Sequence, residues 1–132
     1  MLDCLIIGDS IAVGTAMQRP DCQSIAKGGI NSWQWNKDYS GKLVPAKTVI
    51  ISLGANDHKG VKSIKELLAL REKIKNTRVF WILPFNAQGQ EAVTLVAEQY
   101  GDTVLPRPKE HISTDGVHPT GRGYKILGEQ TK

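Results

Sequence analysis

The chain has 132 residues, of which 40% are hydrophobic and 23% charged, and a formal net charge of +4. This length predicts one domain over residues 1–132, and the composition is typical of a soluble globular protein rather than a disordered or fibrous one. The basic residues are interleaved with apolar ones at helical spacing, which indicates a solvated helix face. Nucleic-acid binding, which needs clustered basic residues with stacking aromatics, is therefore not expected.

The sequence also argues against a membrane span and a signal peptide. No apolar run approaches the ~18 residues of a membrane-crossing helix, and Asp3 stands where a signal peptide carries lysines. We therefore expect no membrane insertion. A cytoplasmic location is expected too, unless the protein is exported by a route that this sequence does not contain.

The two cysteines, Cys4 and Cys22, are too few for a disulfide framework. Each stands at the start of a predicted strand, so the two could pair if those strands are neighbours. We favour the interpretation that they are two small buried thiols. No group of His, Cys, Asp or Glu has metal-ligand spacing, so the sequence predicts no metal and no other cofactor.

Five short runs of β-type residues follow one another along the chain. They are Leu2–Gly8, Cys22–Ala26, Lys47–Leu53, Arg78–Leu83 and Thr103–Leu105. The first, third and fourth are nearly continuous apolar runs with little alternation. This pattern is typical of strands that are buried on both faces of a parallel sheet.

Helical patterns separate these strands. The predicted helices are Ser10–Gln18, Ser32–Tyr39, Ser63 to about Asn76, a segment containing Ala92 to Gln99, and Pro119 to the C-terminus. The third is predicted to begin with a capping box, Ser63-Ile-Lys-Glu66, and Pro119 is typical of a first helical turn. Alternation of strands and helices predicts an α/β doubly wound sheet of about five parallel strands.

Two of these helices have apolar faces that predict which side packs on the sheet. The face of the third helix consists of Ile64, Leu67, Leu68 and Ile74. The face of the fourth consists of Ala92, Leu95, Val96 and Gln99.

Polar groups and glycines follow four of the five strands, at the edge where ligands gather in such sheets. Ser10 follows the first strand and Gly28 and Gly29 the second. Asn56 follows the third, and the loop that contains Asp115 and His118 follows the fifth. These groups are therefore expected to meet in one crevice.

Together these residues have the chemistry of a serine nucleophile. A hydroxyl attacks well only when a neighbouring base takes its proton and a third group orients that base. His118 can be the base for Ser10, and Asp115 the orienting carboxylate. The Ser10 N–H, a glycine N–H and the Asn56 amide would then hold the oxyanion of a tetrahedral intermediate.

The sequence leaves two pairs of alternatives around this crevice. The oxyanion N–H is assigned to Gly29 rather than Gly28, but either glycine could supply it. Trp33 and Trp35 follow the second strand and could contact substrate by stacking on a sugar or lining an acyl pocket. They could equally pack their helix on the sheet, because positions two apart do not share a helix face.

The segments "GDS", the Gly after the second strand, "GAND" and "DGVHP" resemble the four signature segments of the SGNH, or GDSL-type, esterase/lipase superfamily. The resemblance implies a three-layer, flavodoxin-like fold. It implies Ser10 as nucleophile, His118 as base and Asp115 as its partner, with Gly29 and Asn56 as oxyanion donors. The chain is shorter than most members and departs from their common pattern around the glycine segment.

The expected function is a serine esterase that hydrolyses small acyl esters, above all acetyl esters, on a small molecule or carbohydrate. Short-chain lipid esters or thioesters are the alternative substrates. A non-catalytic module that holds a sugar or an anion is the alternative class of function. The sequence makes no prediction about oligomeric state.

Overall fold

Five parallel strands form one sheet in the order β2-β1-β3-β4-β5. The computed structural model describes residues 1–75 and 77–132. The strands are β1 (Leu2–Gly8), β2 (Gln23–Ala26), β3 (Ala46–Ser52), β4 (Arg78–Ile82) and β5 (Thr103–Leu105). This confirms the predicted α/β sheet of five parallel strands, with ends that differ from the sequence prediction by at most one residue.

Helices cover both faces of the sheet. They are α1 (Ser10–Met17), α2 (Ser32–Tyr39), α3 (Ser63–Glu72), α4 (Ala87–Tyr100) and α5 (Gly121–Gln130). Buried residues of α2, α3 and α4 share one core cluster with the sheet, and those of α1 and α5 share a second. The molecule therefore has three layers, helix–sheet–helix, as the resemblance implies.

The continuous apolar runs of the central strands are explained by these two cores. In β1, Leu5 and Ile7 face the α2–α4 side, whereas Cys4 and Ile6 face the α1–α5 side. Because successive side chains of a strand point to opposite faces, a strand covered on both sides favours apolar residues at successive positions.

The strand order reverses direction at β1. From β1 the chain moves to β2 on one side, then returns to β3 on the other side. The connections on the two sides of such a switch point separate and leave a crevice beyond the carboxyl ends of the strands. Ser10 begins α1 at this point.

The start and end of α3 differ from the prediction. No capping box forms: Lys62 is the N-cap residue without a side-chain bond, and the Ser63 hydroxyl donates to Asp57 at 2.7 Å. Glu66 instead accepts from the Asn36 amide. Tertiary partners therefore replaced the local ones. The helix ends at Glu72, and the predicted end near Asn76 lies outside the described residues.

Three predicted face positions are wrong, because Ile64 of α3 and both Leu95 and Gln99 of α4 are exposed. Leu70 and Val93 occupy the core in their place. The prediction inferred the buried face of each helix from the spacing of its residues. The face that is buried depends on where the helix crosses the sheet.

The last helix begins at Gly121, two residues after the predicted start at Pro119. Thr120 is its N-cap and accepts from the Gly123 N–H at 3.2 Å. Pro119 forms an isolated antiparallel bridge with Ile112, which holds the chain extended before the helix.

Cys4 and Cys22 form a disulfide, so the favoured interpretation of two free thiols is wrong. The strands β1 and β2 are parallel neighbours, with Leu5 opposite Gln23, and this register brings the two cysteine Cα atoms to 4.6 Å. Within the part of the chain that the structure describes, no helix has the length and apolar character needed to cross a membrane.

Candidate active site

The turn that presents Ser10 depends on a glycine. Gly8 ends β1 with φ +138°, and a Cβ at this position would overlap the carbonyl oxygen of Ser52 in β3. The Asp9 N–H donates to that same oxygen at 2.9 Å. The chain therefore leaves β1 in contact with β3, and Ser10 becomes the first residue of α1.

Asp9 lies beneath this turn with its side chain 1% exposed. Its Oδ1 caps α1 by accepting from the Ile11 N–H at 3.0 Å, and it also accepts from the Ser52 hydroxyl at 2.9 Å. Its Oδ2 has no hydrogen-bond partner among the residues that the structure describes. Burial raises the pKa of the Asp9 carboxyl to about 6. Asp9 thus fixes the turn and does not contact His118 as a triad acid would.

Ser10, His118 and Asp115 form a continuous chain of hydrogen bonds. The distance from Ser10 Oγ to His118 Nε2 is 2.8 Å, and that from His118 Nδ1 to Asp115 Oδ2 is 2.7 Å. The other oxygen of Asp115 accepts the N–H groups of Val117 and His118. These residues are brought together as the sequence predicts.

The charge state of Asp115 determines which ring nitrogen of His118 carries the hydrogen. The hydrogen bond from His118 and those from two backbone N–H groups lower the pKa of Asp115 to about 2, so it is ionised at neutral pH. An ionised carboxylate can only accept, so Nδ1 carries the hydrogen of the neutral ring. Nε2 is then an acceptor for the Ser10 hydroxyl.

The loop that carries Asp115 and His118 is held through its carbonyl groups. Arg107 donates to the carbonyl oxygens of Val117 at 2.6 Å and Gly116 at 3.2 Å. Ser113 donates through its N–H and its hydroxyl to the His118 carbonyl. Arg107 could not be recognised from the sequence, because a lone arginine nine residues before Gly116 gives no local signal.

The glycines after β2 form a turn against Ser10. The Ile30 N–H donates to the Lys27 carbonyl at 3.4 Å, with Gly29 at φ +78° inside the turn. A Cβ on Gly28 would lie 3.8 Å from the Ser10 Cβ, so the turn and the serine are in contact range. Among residues 1–75 and 77–132, no acceptor takes the N–H of Gly28 or Gly29.

Asn56 is linked to the same turn, because its side-chain amide donates to the Ile30 carbonyl at 3.0 Å. An amide has two N–H hydrogens, and one is left over for a ligand. The neighbouring Asp57 is buried and accepts from the hydroxyls of Ser32 and Ser63. Asp57 therefore joins the starts of α2 and α3 to the loop that carries Asn56.

The structure separates the two tryptophans that were predicted to contact substrate. Trp35 is 0% exposed and donates through Nε1 to the Ile25 carbonyl in the core. That prediction is wrong for Trp35, since no ligand can reach its ring. Trp33 is half exposed on α2, with the Lys37 ammonium 5.0 Å from its ring centroid, and its contact with substrate stays a prediction.

No protein-family model and no curated protein matches the chain. Two solved structures are similar over nearly all of it. One is a "putative acylhydrolase" from Bacteroides fragilis, with a TM-score of 0.68, 18% identity, and coverage of 97% of this chain and 83% of that one. The other is the C-terminal catalytic domain of peptidoglycan O-acetyltransferase A from Streptococcus pneumoniae, with a methylsulfonyl adduct.

For this second structure the TM-score is 0.67 and the identity 20%, with coverage of 96% of this chain and 88% of that one. Identities this low establish the fold alone. The chain therefore shares the three-layer α/β fold of these two structures, as the sequence predicts.

Proposed function

We propose that this protein is an acyl-ester hydrolase that uses Ser10 as its nucleophile. The observation that carries the proposal is the hydrogen-bonded series from Ser10 through His118 to Asp115, with distances of 2.8 and 2.7 Å. Helix capping does not explain this serine, because Asp9 caps α1 and the Ser10 hydroxyl is paired with an imidazole that an ionised carboxylate orients.

Acylation begins when Ser10 Oγ attacks the carbonyl carbon of the ester. His118 Nε2 takes the hydroxyl proton as the new C–O bond forms, and the ionised Asp115 stabilises the resulting imidazolium. The tetrahedral intermediate then collapses. The alcohol leaves with the proton from His118, and the acyl group remains on Ser10.

The negative oxygen of that intermediate needs N–H donors. Ser10 is the first residue of α1, so its own N–H has no partner within the helix. The Gly29 N–H and the free hydrogen of the Asn56 amide are the other proposed donors. Removing one donor of this kind from other enzymes costs about 3–4 kcal/mol of barrier.

Deacylation follows the same steps as acylation, with water as the nucleophile. His118 removes a proton from a water molecule that attacks the acyl carbon, and it then gives this proton to Ser10 Oγ as the bond to the acyl carbon breaks and the carboxylic acid leaves. The imidazole is 41% exposed, so water reaches this position freely. An open site of this kind favours small acyl groups, with acetyl esters on carbohydrate first and short-chain lipid esters or thioesters second.

Transfer of the acyl group to an alcohol is a second candidate. It is supported by the similarity to a structure named as a peptidoglycan O-acetyltransferase. The first half of the reaction is the same in both cases, and only the acceptor differs. A module that merely holds a sugar or an anion is the third candidate, but such a module has no need of the His118–Asp115 pair.

Ester hydrolysis with chain-length analogues tests the proposal. We expect turnover of p-nitrophenyl acetate to exceed that of the butyrate and octanoate, and Ser10→Ala to abolish it. Adding an alcohol acceptor and measuring free acetate against acetylated alcohol separates hydrolysis from transfer. Preference for octanoate would overturn the small-acyl proposal, and equal turnover by Ser10→Ala would overturn the nucleophile.

A further inference from the structure

A small polar cleft adjoins the proposed nucleophile. It has a volume of about 200 Å³ and is lined by Lys27, Gly28, Gly29, Ile30, Gln34 and Asp38. Gly28 belongs to the cleft and also faces Ser10, since a Cβ on it would lie 3.8 Å from the Ser10 Cβ. Gly28 and Gly29 therefore belong both to the cleft and to the proposed oxyanion turn.

The cleft offers groups of both charges, and it contains hydrogen-bond donors as well as acceptors. Lys27 brings an ammonium, Asp38 a carboxylate and Gln34 an amide. Within the described chain, neither Lys27 nor Asp38 uses its side chain in a hydrogen bond or ion pair. Their polar ends are available to a ligand.

Gln34 is held in position by the start of α2. Its Oε1 accepts from the Asn31 N–H at 3.1 Å, and its own N–H donates to Asn31 Oδ1 at 2.8 Å. The two hydrogens of Nε2 are not used by this capping box. The hydrogen bond to Oε1 thus sets the orientation of Nε2, which can donate to a ligand.

The lining suits two classes of ligand poorly, acyl chains and anions. Lys27, Gln34 and Asp38 are exposed polar side chains, so they give an acyl chain little apolar surface to contact. An anion would be opposed by Asp38 next to Lys27. A neutral group with several hydroxyls satisfies donors and acceptors alike, and the volume equals about seven water molecules, which is room for one sugar-sized ring.

We propose that this cleft binds one saccharide unit as the alcohol part of the ester, with the acyl carbonyl over Ser10. This inference rests on the proposed function and names its substrate class. Gln34 and Asp38 are then specificity residues: they contact the sugar hydroxyls and not the reacting carbonyl.

Two substitutions test the cleft without removing the helix cap. Gln34→Glu keeps the Oε1 acceptor for Asn31 but loses the Nε2 donor, and Asp38→Asn keeps the shape but loses the charge. The quantity measured is the ratio of kcat/KM for 6-O-acetyl glucose to kcat/KM for p-nitrophenyl acetate. Each substitution is expected to lower this ratio about 3–10-fold, the effect of one hydrogen bond.

Glu91→Gln is the matched control, because Glu91 is an exposed acid on α4 outside the cleft. It is expected to leave both the ratio and the activity unchanged. An unchanged ratio in Gln34→Glu and Asp38→Asn would overturn the cleft while leaving the esterase proposal intact.

A binding measurement keeps the two proposals distinguishable if no ester is turned over. Ser10→Ala protein is titrated with 6-O-acetyl glucose while the side-chain amide signal of Gln34 is followed by NMR. A saturable shift of this signal supports binding in the cleft if it becomes weaker when Asp38→Asn is combined with Ser10→Ala. No shift at millimolar sugar ester would overturn it, whatever the activity of the wild type.

Discussion

Ser10 and His118 are hydrogen-bonded to each other, but Ser10 lies on a turn above the core and His118 lies on an exposed loop. Ser10 stands on a turn whose carboxylate, Asp9, is 1% exposed and lies between β1 and β3. His118 and Asp115 stand on a surface loop, with side chains 41% and 49% exposed. One half of the site is thus part of the core, and the other half is held from the side by hydrogen bonds to carbonyl groups.

Because of this difference, substitutions in the two halves should affect stability and activity differently. Changes beneath Ser10 disturb the contact between two central strands, so they should reduce stability as well as activity. Changes in the His118 loop affect exposed groups, so they should reduce activity with little effect on stability. Substitutions in each half of the site test this division.

Asp115→Asn should lower kcat by about four orders of magnitude, as the equivalent change does in a serine protease. An amide can donate to Nδ1 and so favours the wrong tautomer of His118 for accepting the Ser10 proton. Turnover of p-nitrophenyl acetate and the thermal midpoint are measured on the same samples. A loss below tenfold, or a large fall in the midpoint, would contradict the division.

Gly8→Ala should destabilise the fold by at least about 3 kcal/mol, because strain at φ +138° adds to overlap with the Ser52 carbonyl. Urea unfolding measures this free energy. Gly41→Ala is the control, since a Cβ there meets nothing within 4 Å. Equal stability of the two variants would show that the β1–β3 contact is not as tight as described.

Asp9 should make stability depend on pH. Its pKa is about 6 in the folded chain and 3.8 is its usual value, so between these values the native state holds a proton that the unfolded state has released. The contribution of Asp9 to stability therefore falls by about 2 kcal/mol as pH rises from 4 to 6, out of about 3 kcal/mol over its whole titration.

Asp9→Asn is the comparison for this prediction, because it retains the Oδ1 acceptor and cannot titrate. Unfolding free energies of both proteins are measured from pH 4 to 7, and other carboxyl groups cancel in the difference. The wild type should lose stability relative to Asp9→Asn across this range. A constant difference would show that the Asp9 pKa is not raised.

Arg107→Ala should lower kcat about tenfold, the smallest of these effects. Without the guanidinium the carbonyls of Gly116 and Val117 lose their donor, and small displacements of a catalytic group are costly to rate. Arg107→Lys should recover part of the loss, since an ammonium also donates to a carbonyl. Arg107 is a positioning residue in this account, so a changed KM with unchanged kcat would contradict it.

The sheet and the meeting of Ser10, His118 and Asp115 were predictable from sequence for the same physical reason. Apolar runs mark strands buried on both faces, and the carboxyl ends of parallel strands lie at one edge of the sheet. Short segments at those ends therefore come together, although Ser10 and His118 are 108 positions apart. The catalytic roles of these residues stay a prediction.

The errors arose where a tertiary contact replaced a local preference. Ser63 reads as the first residue of a capping box, but Asp57 offers its hydroxyl a buried partner. Cys4 and Cys22 pair because β1 and β2 are neighbours in register, which depends on strand order. Trp35 could have faced solvent or core, and only the rotation of α2 decides between them.

The most direct test is reaction with a fluorophosphonate probe, followed by intact-mass and peptide mass spectrometry. The account predicts one adduct, located on Ser10, which forms far more slowly in His118→Ala and is absent in Ser10→Ala. Folded wild-type protein that acquires no adduct, or acquires it at the same rate without the imidazole, would contradict the claim that His118 activates Ser10.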